Sequence, residues 1–302
     1  MIITNASLQA LRTGFSKLYQ DGFKLAETNH EAITMVVPSS TASNTFGWLG
    51  QMPNVREWTG DRVINNLKEH SYAIANKEFE VTVGVKRTQI EDDQLGQFDS
   101  IMTETGAQMA RHPGELVWLL LAAGFTTTCY DGQYFFDTDH PVNAEHDGSG
   151  ADTSVSNIQA GTGTAAPWFL IDGSRAIKPI IYQERKKPVF TAMTKLDDES
   201  VFMSNEFRFG ADSRGNVGFG LWQQAFASKE ALSAENFNVC RAAMMAFKAD
   251  GGKPMGIKPT QIVVGASNLV AAEELFLTEK LANGGTNPLY KKVEIIYSDY
   301  LA

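Results

Sequence analysis

Five side chains between Cys129 and His140 are of the types that most often do chemistry: Cys129, Asp131, Asp137, Asp139 and His140. Asp137, Asp139 and His140 offer oxygen and nitrogen ligands of the kind that hold a divalent cation for hydrolysis. No second cluster of His or Cys stands elsewhere in the sequence to complete such a site. Cys129 and His140 would supply a nucleophile and a base, but the sequence names no third group to orient them. A turn at Asp131-Gly132, tied by Asp and His side-chain bonds to backbone and ended by Pro141, accounts for the same residues without catalysis. Two glycine-rich stretches, Gly210 to Gly220 and Gly251-Gly252-Lys253, lack the Gly-Lys-Ser/Thr ending of a phosphate loop. The acids of Ile90-Glu91-Asp92-Asp93 project in different directions and read as the N-terminal capping of a following helix. Arg185-Lys186-Lys187 is a solvated strand end or an intersubunit ion-pair strip rather than a nucleic-acid site. No catalytic residue, metal site or cofactor is therefore assigned. A metal-dependent hydrolase using Asp137, Asp139 and His140 is the rival enzyme reading.

The elements that would position these residues are legible as periodicity. From Phe98 to Gly124, apolar residues fall at Phe98, Ile101, Met102, Met109, Pro113, Leu116, Val117, Leu120 and Leu121, the spacing of a helix with one buried stripe. At about 1.5 Å per residue it would span roughly 40 Å. Pro113 removes a backbone donor and clashes with the Met109 carbonyl, which predicts a kink or a break. Gly124 stands where a C-cap glycine would. Near the start, Leu8, Leu11, Phe15, Leu18 and Tyr19 share one face of a second helix, followed by Gly22. Ile33 to Pro38 reads as a strand. Phe79, Val81, Val83 and Val85 alternate with polar residues, a strand wet on one side. With Val63-Ile64, Tyr72 and Ile74 on the other arm, and polar residues at 65–70 between, this predicts a long two-stranded arm. Trp48 and Trp58 flank Met52-Pro53 beside it. An isolated hairpin is marginal in water, so this one needs a surface to lie on, its own or another copy's. Tyr134 to Phe136 reads as a short strand and residues 143–166 as a long surface loop. Strand character resumes from Phe169 to Phe190, and Val201 to Phe209 alternates again. Ser233 and Asn236 open a helix with stripe Phe237, Cys240, Met244 and Phe247. Helix, strand, helix, strand over 233–297 makes a small α/β unit.

Composition narrows the function. The 302 residues, a length that suggests two domains, are 43% hydrophobic and 20% charged, ordinary for a folded chain. No apolar run reaches the roughly 18 residues of a membrane span, and Met1-Ile-Ile-Thr-Asn lacks the basic head of a signal peptide. Cys129 and Cys240 are too far apart to suggest a disulfide framework and fit a reducing compartment. A net charge of -9 argues against tight phosphate binding and suits a surface that lies near nucleic acid without sticking to it.

Several motifs are together specific: Met52-Pro-Asn-Val-Arg-Glu-Trp-Thr-Gly-Asp-Arg, Ile90-Glu-Asp-Asp, Asp131-Gly-Gln-Tyr-Phe-Phe-Asp-Thr-Asp-His-Pro, Lys178-Pro-Ile-Ile-Tyr-Gln-Glu-Arg, Gly218-Phe-Gly-Leu-Trp-Gln, and Ile257-Lys-Pro-Thr-Gln-Ile-Val-Val-Gly with Asn287-Pro-Leu downstream. In this order, over essentially the whole chain, they resemble the HK97-type major capsid proteins of tailed bacteriophages, and among these the Mu-like major head subunits. The resemblance implies an α+β, HK97-like fold divided as follows. Residues 1–30 are an N-terminal arm, and 31–93 a strand plus an extended E-loop hairpin with its tip near 65–72. Residues 94–130 hold the P-domain spine helix, 131–176 an A-domain part with a loop, 177–226 long P-domain strands, and 227–302 the A-domain α/β unit. The strand-rich stretch precedes the α/β unit, a departure from the usual family order. The implied function is a virion shell of hexamers and pentamers around double-stranded DNA, contacted non-specifically, assembled in the bacterial cytoplasm with scaffold, protease and portal. Decoration proteins are further expected partners, and no membrane is. An encapsulin-type compartment shell is the nearer alternative. The intersubunit contacts expected are Leu11, Phe15, Trp48, Trp58, Tyr72, Phe79, Arg185, Lys186 and Lys187.

Overall fold

The computed structural model describes residues 3–50, 72–92, 96–145, 149–159 and 165–301. The first helix, α1 (Asn5–Leu25), begins where Thr4 and Ser7 exchange side-chain-to-backbone bonds in a capping box. Strands β1 (Thr34–Pro38), β2 (Ser43–Thr45), β3 (Ala73–Ala75) and β4 (Lys77–Lys86) follow, then a short helix α2 (Arg87–Glu91) and the long helix α3 (Gly96–Ala122). Next come β5 (His140–Asn143), β6 (Asp152–Val155), β7 (Ile158–Gln159) and β8 (Trp168–Ile171). Two 14-residue strands, β9 (Ile180–Met193) and β10 (Glu206–Phe219), are joined through helix α4 (Glu199–Ser204). The chain closes with β11 (Ala225–Ser228), α5 (Ala234–Met245), β12 (Gln261–Val264), α6 (Ala266–Phe276) and β13 (Glu294–Tyr297). Among the described residues no helix is long and apolar enough to cross a membrane.

Two larger sheets organise these elements. One has strand order β1-β9-β10-β4, with β1 parallel to β9 and the other pairs antiparallel. The apolar faces of β4 and β10 turn towards α1 and α3, so Leu8, Leu11, Phe15, Val85, Ile90, Phe98, Met102, Phe207 and Phe209 form one core. The other sheet has order β13-β12-β8-β11-β7, and β8, β11 and β12 are buried along their whole length. Parallel β12 and β13 are linked through α6, the crossover a parallel pair requires. This is the α/β unit read from 233–297, but its central strand β8 comes from before the long strands.

The two long-range helices touch backbone to backbone. A Cβ at Gly22 would lie 1.9 Å from the Thr103 carbonyl oxygen, and one at Gly106 would lie 2.0 Å from that of Tyr19. Neither helix can yield without moving its neighbour. Gly106→Ala is therefore expected to cost roughly 1–3 kcal/mol by overpacking, even though alanine is the better helix former. A denaturant midpoint equal to that of the native chain would refute the close approach.

Several expectations are corrected. Helix α3 runs through Pro113 without a break, and Ile101 is 44% exposed rather than part of the stripe, whose inward positions include Thr105, Gly106 and Trp118. Gly124 sits in a 3-10 turn and has no left-handed φ. Glu91 pairs with Arg87 at 2.9 Å in α2 and Asp92 ends that helix, while Asp93, just before α3, lies outside the described residues. Tyr134 makes only an isolated bridge to Thr128. The 143–166 stretch carries β6 and β7, and Gly210 to Gly218 lie within or at the end of β10, where β4 and β9 press close. The run Phe79 to Val85 is not half of a free arm, because β4 pairs with β10 over its full length. The expected hairpin tip and Trp58 lie outside the described residues, as does the side chain of Trp48.

Candidate functional site

The Cys129–His140 segment folds into a closed tie. Asp131 Oδ1 accepts hydrogen bonds from the Cys129 thiol (3.0 Å) and the Gln133 backbone (3.1 Å). Asp131 Oδ2 lies 2.7 Å from His140 Nδ1. The other ring nitrogen, Nε2, lies 3.2 Å from Asn157 Oδ1, which also accepts from the Asp137 backbone at 2.9 Å. Asn157 Nδ2 donates to the Phe135 carbonyl at 2.7 Å, so the amide orientation is set by its partners. The imidazole stacks on the Trp222 indole, centroids 4.1 Å apart and planes 10° apart. His140 is fully buried, and the Asp131 side chain is 6% exposed. Burial alone would raise the Asp131 carboxyl, yet bonds from His140 and Cys129 outweigh it and hold the group below its ordinary range. Burial, with the Asp131 charge beside it, pushes the Cys129 thiol far up, so it stays protonated.

This arrangement fastens; it does not catalyse. Asp131 stands between the thiol and the imidazole, so the nucleophile–base contact that an activated cysteine needs is missing. The ligand atoms of Cys129, Asp131 and His140 do lie within 4.8 Å of one another. Both carboxylate oxygens are nonetheless already engaged at hydrogen-bond spacing by the thiol and the ring, so the set is satisfied as it stands. The trio Asp137, Asp139 and His140 does not converge. Asp137 accepts from the Thr138 and Tyr134 backbones, Asp139 faces solvent, and His140 points inward. A hydrogen bond with Asp137 pushes the Asp139 carboxyl upward. The expected turn is present, with a wider reach, since the tie joins residues 129–140 to Asn157 and Trp222.

The residues expected to meet a neighbour fall into three groups. Leu11 and Phe15 are buried within the chain itself, and Tyr72 and Phe79 are partly buried by it. Phe15 meets Phe209 edge-on at 4.9 Å, and Leu11 is buried in the same core. The Tyr72 hydroxyl accepts from the Phe219 backbone at 2.7 Å. Phe79 packs on His112 of α3 at 4.3 Å. The physical reason is that α3 and the β4–β10 face supply enough apolar surface for both segments. Trp48 and Trp58 fall outside what is described. In the basic strip, Arg185 is exposed, Lys186 is ion-paired with Asp212, and Lys187 approaches Glu184 at 3.9 Å while remaining 81% exposed.

One surface escaped the sequence reading. In α4, Val201 is buried against the α1/α3 core, while Phe202 is 82% and Met203 74% exposed. Leu196 and Met193 on the same β9–β10 connection are also uncovered. A single-turn helix that docks through Val201 rotates the next two side chains away by about 100° each. The signal was the triplet Val201-Phe202-Met203, three consecutive apolar residues on a helix too short to bury them all.

Comparison with known proteins agrees with this architecture. Residues 8–301 match the family described as Mu-like prophage major head subunit gpT. The chain is 46% identical over 305 residues to the major capsid protein of Escherichia phage Mu, covering 100% of both. It is 45% identical to the Mu-like prophage FluMu major head subunit of Haemophilus influenzae, covering 99% of both. A chain of the bacteriophage JBD30 procapsid superposes with a TM-score of 0.89 at 50% identity, covering 99% of this chain and 100% of that one. A chain of the JBD30 capsid gives 0.78 at 36% identity, covering 100% of both. In a third structure, the JBD30 capsid is decorated with minor capsid protein trimers. Its matching chain has a TM-score of 0.71 at 38% identity, again covering 100% of both.

Proposed function

Because this chain belongs to the Mu-like prophage major head subunit gpT family, and is a major capsid protein of the HK97-like fold that builds the phage procapsid and capsid shell, we propose how its surfaces serve that assembly. Copies gather as hexamers and pentamers, and the uncovered apolar end of the β9–β10 arm is buried against the next copy. The observation that carries this is the exposure of Phe202 and Met203 on a helix already docked through Val201. Each such side chain contributes about 1.5–3 kcal/mol when buried, and many simultaneous neighbours make loss of one copy slow. Arg185, Lys187, Trp48 and Trp58 remain proposed contacts at the rims of the same neighbours.

The proposed division of labour follows the two sheets. The β1-β9-β10-β4 sheet with α1 and α3 forms the P-domain body, with the buried face of α1 packed on it. The sheet containing β8 and β11 to β13 forms the A-domain. The shell encloses double-stranded DNA, and scaffold, protease and portal act in its assembly. A decorating trimer, as on the JBD30 capsid, is a further proposed partner. The family relationship leaves no place for the hydrolase or the cellular compartment readings. Sizing and negative-stain microscopy of the purified chain with its scaffold test the proposal: closed shells are expected, and monomers persisting at high concentration would refute it.

A further inference from the structure

Three segments far apart in sequence enclose a cleft of about 570 Å³: the linker after α1, the middle of α3 and the turn after β13. Asn29 Nδ2 donates to the Tyr297 carbonyl at 2.7 Å and fastens the linker to that turn. The lining is aromatic and acidic. Trp118 is buried and Tyr300 is 45% exposed, and the carboxylates are Glu27, Glu115 and Asp299. Burial pushes the Tyr300 hydroxyl upward, with Glu115 and Asp299 adding to it and Arg111 opposing, so these charges converge on one phenol. Arg111 is the lining's single cation, and its guanidinium is engaged by Glu104 at 3.1 Å. Glu115 also approaches His112 at 3.2 Å. Beside these groups stands a buried side chain with nothing to bond. His30 is 6% exposed, and alone among the lining residues it has a buried polar atom, Nδ1, without a hydrogen-bond partner. The Glu31 carboxylate stands 3.7 Å away, beyond hydrogen-bond reach. The ring packs on Gly114, where a Cβ would lie 3.0 Å from Nδ1. Burial lowers the imidazole pKa against the pull of Glu31 and keeps the ring neutral, so a bare Nδ1 is an acceptor without a donor.

We propose that this cleft binds an organic cation, an alkylammonium or guanidinium group. A positively charged N–H donor satisfies the three features together: the carboxylates supply charge, Trp118 and Tyr300 supply aromatic surface, and His30 Nδ1 supplies the missing acceptor. A metal ion does not fit, because among the described residues only Cys129, Asp131 and His140 converge tightly enough to hold one. The bound cation bridges α3, which packs on one sheet, to the turn that follows the edge strand of the other. Every residue involved belongs to one chain, so the inference is independent of how copies assemble.

The test is calorimetric titration of the full chain at low ionic strength with two probes, argininamide and spermidine, against sodium chloride of matched ionic strength. At least one probe should bind saturably at one site per chain, and sodium chloride should not. Glu115→Gln/Asp299→Asn should weaken that binding roughly tenfold or more, a loss of about 1.4 kcal/mol. Arg111→Gln should tighten it, because a like charge leaves the lining. His30→Phe keeps the bulk of the ring, removes the acceptor and should weaken binding. The carboxylate and Arg111 variants change side chains outside the core and decide the matter whether or not His30→Phe folds. Tighter binding of argininamide identifies the natural ligand as an arginine side chain of a partner; tighter binding of spermidine identifies a free polyamine. Failure of both probes to bind the native chain, unchanged binding in the carboxylate variant, or weaker binding in Arg111→Gln would each overturn the assignment.

Discussion

A subunit carrying Phe202→Asp and Met203→Asp is expected to fold as the native chain does and to fail to close into shells. Both side chains are mostly in solvent in the single chain, so substitution removes little from the subunit's own core. Surface changes of this kind usually alter stability by less than about 0.5 kcal/mol. At a contact between copies the effect is different in kind. The native pair contributes roughly 3–6 kcal/mol of apolar burial per subunit, whereas two carboxylates there would each need a partner or be left buried and unpaired, at several kcal/mol. Multiplied over a closed lattice, that difference separates shells from free subunits. The measurements are thermal unfolding, expected to match the native chain, and sedimentation with microscopy, expected to show no particles. Normal particles from the double variant would remove this surface from the assembly account. Val201→Asp is the contrasting control, because it buries a charge inside the α1/α3 core and should unfold the subunit itself.

A large stability loss is expected from truncating the single side chain of Asp131. Asp131→Ala leaves the His140 ring nitrogen and the Cys129 thiol without their acceptor in a site sealed by Trp222. Leaving a buried donor without its acceptor typically costs about 1–3 kcal/mol for each group. The pH dependence has a definite sign. The folded carboxyl lies below its ordinary range, so its stabilisation is complete above the unfolded-state value of about 3.9. It is lost as pH falls through the depressed folded value. Denaturant midpoints of the native chain and Asp131→Asn should differ most near neutrality and converge in strong acid. A variant midpoint equal to the native one at neutral pH would show that the cluster fastens nothing.

Much of this was legible in residue order, and the parts that were not share a cause. Local signals survived intact: the stripe of α1, the Ser233 cap of α5 and the turn at Asp131-Gly132 are each set by side chains a few positions apart. What failed was the destination of sticky faces. The stripe of α1 and the alternation of β4 were visible, yet what covers them depends on residues distant along the chain, as Phe209 is from Phe15 and His112 from Phe79. The same limit hid β6 and β7 in a polar stretch whose pairing partners give it strand form. It also made Asp137, Asp139 and His140 look like a ligand set when the fold turns one outward and another inward.

By itself, then, the amino-acid sequence determined the longer helices α1, α3 and α5, the alternating strand β4 and the kinship to a shell protein, because periodicity, caps and ordered motifs are properties of the chain read along its length. Tertiary structure alone decided which apolar faces the subunit covers for itself, which it leaves exposed at Phe202 and Met203, and that His140 is a fastening. Burial is a relation between distant segments, and no local pattern records which of them will meet.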